Sequence, residues 1–126
     1  MSVTYSIVDS VVVIVLQGVV TDRELLAQQA ALFEDPDFYG NNPRLVDAST
    51  VIELRLSGDI VRHVATNAIQ RGLRRSALVA SGSQSVFGLL RMYAEYAGDA
   101  TVEVFRDRAP ALAWLKGSTE GWEVPA

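Results

Sequence analysis

Six consecutive apolar residues, Val11–Leu16, lie between the turn formers Asp9 and Ser10 and the glycine Gly18. The run is far shorter than the ~20 residues needed to cross a bilayer, so it reads as a buried strand. Val3, Tyr5 and Ile7 alternate with polar neighbours just before it, which predicts an antiparallel hairpin. A buried strand needs cover on its faces, and the rest of the chain must supply it.

The following segments alternate between helical and strand patterns. Thr21 with Glu24 forms a capping box, and Leu25, Leu26, Leu32 and Phe33 recur behind it at helical spacing as far as about Glu34. The turn-rich DPDFYGNNP leads to a short strand around Leu45 and Val46. A second helix is expected from about Ser57 to Arg71, with Ile60, Val61, Val64, Ala65, Ala68 and Ile69 on one stripe and Gly72 closing it. Leu78 and Val79 mark a fourth strand, and about Gln84 to Ala97 a third helix ended by Gly98. Val102, Val104 and Phe105 mark a fifth strand. A last helix opens at Asp107, with Ala109, Leu112, Ala113 and Leu115 on its apolar face. The expectation is an α/β fold, β-β-α-β-α-β-α-β-α, with a mixed, mainly parallel five-stranded sheet and four helices. Residues 1–117 form one domain and 118–126 a C-terminal tail.

Composition narrows the function. With 49% apolar and 21% charged residues among 126, the chain has a globular balance. A net charge of -4 disfavours nucleic acid and gives no support to peripheral membrane contact, since both need clustered cations. Arg71, Arg74 and Arg75 do cluster, but they straddle a helix end, where cations suit the dipole. The absence of cysteine excludes disulfides, thiol catalysis and thiolate zinc sites. The one histidine, His63, faces away from its helix's apolar stripe with Arg62, Asn67 and Gln70, so no metal or other cofactor is expected. The start MSVTYSIV has no signal-peptide pattern, and a cytoplasmic location is expected.

The order of elements, LVDASTVIELRLSG from Leu45 to Gly58, and VFRDRAPALAWL from Val104 to Leu115 together resemble SpoIIAA-like proteins of the STAS superfamily. The similarity covers roughly residues 3 to 116. It implies a SpoIIAA/STAS-like fold and a noncatalytic binding role. Anti-sigma-factor antagonists of this superfamily are switched by phosphorylation of the second serine in Asp-Ser-Ser-Gly, which here falls on Ser57 before Gly58. Arg55 and Leu56 replace the two preceding residues. The branch associated with ligand pockets and membrane surfaces fits the chain's ending better.

Each candidate site has a plainer use. Ser57 opens a helix, where its hydroxyl can cap it. Asp47 and Ser49 fall just past the third strand, at the carboxyl edge where open α/β sheets gather ligands, and Asx turns use the same residues. SGSQS, from Ser81 through Ser83 to Ser85, can hold an anion at the helix end before Phe87, or form an ordinary β-α turn. Phe38 and Tyr39 suit a flap over a pocket or cover for their own core. An enzyme would need carboxylates that converge only in the tertiary fold.

The third helix has apolar residues over roughly 220° of its circumference, more than one sheet contact requires. Either neighbouring helices bury both flanks, or the flank of Leu89, Met92 and Tyr96 serves a homodimer or docks an apolar ligand, while the module as a whole is expected to bind a protein partner or a small apolar or anionic ligand.

Overall fold

In the computed structural model, described for residues 2–80, 82–98 and 101–123, strand β1 (Val3–Val8) runs antiparallel to β2 (Val11–Thr21). Asp9 and Ser10 join them with positive φ of 52° and 67°, the pairing that matches the twist of a two-residue hairpin. Thr21 then caps α1 (Asp22–Glu34), with the expected reciprocal bond from Glu24.

β3 (Arg44–Arg55), β4 (Arg75–Val79) and β5 (Thr101–Phe105) continue the sheet in parallel, in the order β1-β2-β3-β4-β5. Three helices connect or close these strands: α2 (Gly58–Gln70), α3 (Gln84–Tyr96) and α4 (Arg108–Glu123). This is the five-stranded, four-helix order that the pattern anticipated. α4 runs on to Glu123, through most of the segment 118–126 set apart as a tail.

β3 differs most from expectation. It does not end after Val46 but continues to Arg55, so Asp47 and Ser49 lie inside the strand rather than past its end. Only Arg44–Asp47 pair with β4, and from Thr50 onward β3 pairs with β2 alone. The β-branched stretch Thr50, Val51 and Ile52 favours this extension. Two register slips, between Val15 and Gln17 and between Gly18 and Val19, interrupt the ribbon, and Gly18 has φ +66°. Such slips bend a strand pair. The bend lets Leu54 share one cluster with Ile14 and Leu78.

Alternation along the strands builds two cores. Val12, Ile14, Leu16, Ala48, Leu78 and Val104 cluster with Leu32 of α1 and with Val86 and Leu90 of α3. Leu45, Ala77, Val79 and Phe105 point the other way, against Ala111 and Leu115 of α4.

Candidate functional site

The inward face of α1 has an unexpected composition: its buried residues are Gln28, Gln29 and Leu32. At positions 28 and 29 a glutamine takes the place that helical spacing from Leu25 reserves for an apolar residue. Gln29 is satisfied, because its Nε2 donates to the Val64 carbonyl of α2 at 3.1 Å and its Oε1 accepts from Asn67 at 3.5 Å. Gln28 is not: its buried Nε2 has no partner.

Beneath α1 and α3, alternation in β3 and β4 brings two more polar residues inward. Arg44 and Ser76 are register partners on neighbouring strands, on the same face as Val46 and Leu78. Arg44 is 4% exposed and Ser76 fully buried, and among the described residues Arg44 Nε, Arg44 Nη2 and Ser76 Oγ have no hydrogen-bond partner. Among the described residues Arg44 forms no ion pair. A buried guanidinium without an ion pair costs several kcal/mol, and a buried polar group left unsatisfied calls for an explanation.

Between the helices and the sheet lies a cavity of about 80 Å³. Its walls are mostly aliphatic: Ile14, Leu16, Val46 and Leu78 from the sheet, Leu25 and Leu32 from α1, Val61 and Val64 from α2, and Leu89 and Leu90 from α3. Leu54 and Leu56 come from the bent ribbon and the turn after it, while Arg44, Gln28, Gln29 and Tyr93 supply the polar part. Val46 keeps accessible surface in the middle of the sheet because the cavity lies over it. Tyr93 of α3 is only partly buried by surface area yet lines the same cavity, and its phenol is desolvated. Burial raises its pKa above the ordinary value, and nearby Arg44 offsets part of the rise. Burial likewise pulls the Arg44 guanidinium below its ordinary value.

An aromatic stack covers Arg44. Its guanidinium lies 5.3 Å from the Phe38 ring centre, Phe38 stacks on Phe33 at 5.6 Å, and Arg71 lies 4.6 Å over Phe33. Phe38 is thus part of the cover, and Tyr39 is 67% exposed. The loop carrying Phe38 is seated tightly: a Cβ on Gly40 would stand 1.4 Å from the Arg71 carbonyl oxygen.

The sequence candidates are dispersed. Asp47 faces α4, where its Oδ1 accepts from the Ser49 N–H at 2.9 Å and its Oδ2 from Arg108 at 3.1 Å. Ser83 caps α3, accepting from Val86 N at 3.4 Å, and its Oγ lies 3.0 Å from Ser85 Oγ. Ser81 lies outside the described residues. Phe87 packs beside the larger core, with Arg106 4.3 Å and Arg91 5.9 Å from its ring centre. None of Asp47, Ser49, Ser83 and Phe87 lines the cavity.

The Leu89, Met92 and Tyr96 flank divides. Leu89 lines the cavity, Met92 Sδ would lie 4.0 Å from a Cβ on Gly58, and Tyr96 is 42% exposed. Ser57 caps α2: its hydroxyl accepts from Ile60 N at 3.2 Å, and its own N–H donates to Asp22 at 3.1 Å. His63 is exposed and lies 3.1 Å from Asn67 Nδ2. Arg71 and Arg75 diverge, one over Phe33 of α1 and the other 5.2 Å over Trp114 of α4.

Sequence reasoning missed Arg44, Ser76 and Gln28. Alternation through Ser76, Leu78 and Ala80, and through Arg44, Val46 and Ala48, already turned the first two inward, and helical spacing did the same for Gln28.

No family model matches the sequence, nor does any curated protein. Among solved structures the chain is similar to an uncharacterised protein of the DUF3478 family with a SpoIIAA-like fold, from Shewanella loihica PV-4. Identity is 16% with a TM-score of 0.60, covering 90% of this chain and 91% of that one. No helix among the described residues is long and apolar enough to cross a membrane.

Proposed function

We propose that this SpoIIAA-like fold serves as a noncatalytic module that binds a small, largely apolar ligand between α1, α2, α3 and the sheet. The aliphatic cavity carries this reading. Ligand pockets are typically concave and mainly apolar, with a few polar groups that fix orientation, and this one has Arg44, Gln28, Gln29 and Tyr93 among its aliphatic walls. About 80 Å³ is roughly half of the ~150 Å³ that admits benzene, so the ligand is short or its entry moves a helix. α1 can yield because its polar ties to α2 are few, chiefly Asp22 to Ser57 and Gln29 to Val64 and Asn67.

A phosphoserine switch at Ser57 is the weaker reading. Asp22 already occupies the space beside that hydroxyl, with Oδ2 at 3.4 Å, and would repel a phosphate. Methyl-resolved NMR during titration with 1-hexanol tests the pocket. Ile14, Val46, Leu78 and Leu89 resonances should shift, Leu45, Val79 and Leu115 should not, and Val46→Phe should abolish the response. Shifts confined to the α4 side, or unchanged by that substitution, would overturn the proposal.

A further inference from the structure

Three buried polar side chains from three separate elements meet the cavity's surroundings with atoms that nothing satisfies: Arg44 of β3, Ser76 of β4 and Gln28 of α1. A single orphan could be accidental. Here Arg44 and Ser76 are register partners, side by side on strands ~4.8 Å apart, and Arg44 and Gln28 both line the same cavity. The unpaired atoms are also mostly of one kind: a guanidinium, an amide N–H₂ and a hydroxyl can all donate, so all three can serve an acceptor. The fourth polar neighbour, Tyr93, is a phenol that burial keeps protonated, so it adds no competing negative charge.

We infer that Arg44 and Gln28 form the head-group site of the cavity, with Ser76 behind it beside Arg44 on the neighbouring strand, and that the ligand is a carboxylate on a short apolar tail. This rests on the pocket proposed above and adds the chemistry of its occupant. The free donors of Arg44 are Nε and Nη2, the two whose N–H bonds run parallel along one edge of the guanidinium. A planar carboxylate presents two oxygens to such an edge and takes a bidentate pair, which ammonium or a lone backbone amide cannot offer. Gln28, which also lines the cavity, can then satisfy a remaining lone pair through its Nε2. The aliphatic walls from Val46 to Leu89 accept the tail, and the volume limits its length. Phe38, over the Arg44 guanidinium, covers the head group from solvent and thereby strengthens the charge pairing.

The test is a matched titration of the full chain with hexanoate, 1-hexanol and hexyl phosphate, followed by calorimetry and by the same methyl resonances. In the wild type, hexanoate should bind about 10- to 100-fold more tightly than hexanol, as expected for charge-assisted bonds to one guanidinium. Arg44→Met should leave hexanoate binding no more tightly than hexanol does to the same variant, and circular dichroism establishes that the variant is folded. Gln28→Met, a smaller change, should lower hexanoate affinity severalfold and serves if Arg44→Met does not fold. Equal binding of hexanoate and hexanol, or an advantage that survives in Arg44→Met, overturns the head-group site and leaves the apolar pocket standing. Tighter binding of hexyl phosphate overturns the choice of carboxylate. Failure of all three probes to reach the lining methyls overturns both the head-group site and the pocket.

Discussion

The two faces of the sheet are built from alternate residues of the same strands, yet they are packed to different standards. Under α4, Leu45, Ala77, Val79 and Ala111 are 0% exposed and Leu115 1%, and Asp47, the buried acidic residue of that face, has both oxygens engaged. Under α1, α2 and α3, the next residue of the same strand, Val46, borders a cavity, and Arg44, Ser76 and Gln28 hold unpaired atoms. A layer selected only for stability fills its voids and pairs its polar groups. Departures from both rules gather on one face, and for that reason the proposed binding site is placed on the three-helix side, with α4 as its backing.

The largest effect should come from Leu115→Ala. It removes a fully buried side chain from the filled face and should cost about 2–5 kcal/mol in urea unfolding, with ligand affinity unchanged. A loss of affinity would break the separation of the two faces. A paired test adds one methylene to Val46 and two carbons to Ala77. Ala77→Val should destabilise by about 1–3 kcal/mol through overpacking. Val46→Ile should instead stabilise by up to ~0.8 kcal/mol by filling part of the cavity. Losses of similar size would mean that both faces are equally full.

Gly40→Ala probes the cover over Arg44. Its Cβ would overlap backbone at Arg71, so the loop must shift, at a cost of about 1–3 kcal/mol. Hexanoate should then dissociate faster in stopped-flow exchange, because Phe38 no longer seals the head group. Ser57→Ala is the mildest change. Losing the cap and the hydroxyl's bond to Asp22 Oδ2, while the backbone N–H bond to Asp22 stays, should cost about 1 kcal/mol by chemical denaturation without abolishing binding.

Much of the fold was legible because each element carries a local signal. The Thr21–Glu24 box, the Asp9–Ser10 turn and Gly72 and Gly98 at positive φ are short-range chemistry that sequence displays directly. The length of β3 was not, because its second half is held by β2 alone, and Asp47 and Ser49 looked like turn formers when they are strand residues tied to each other and to Arg108. The site was hidden for a different reason. Arg44, Gln28 and Ser76 are ordinary surface residue types, and only the sheet register and the seating of α1 bring them beneath one roof. Reading alternation strictly would have turned Arg44 and Ser76 inward, but nothing in a single sequence reveals that their partners are missing.

Equilibrium urea unfolding of Arg44→Met without ligand, against the wild type, tests most directly the claim that the helical face holds a binding site rather than a flawed core. Methionine keeps the apolar stem and removes a buried charge that lacks an ion pair among the described residues, so the variant should be more stable, by about 1–4 kcal/mol. A variant less stable than the wild type by a comparable margin would show that Arg44 holds the fold together, and would contradict the account.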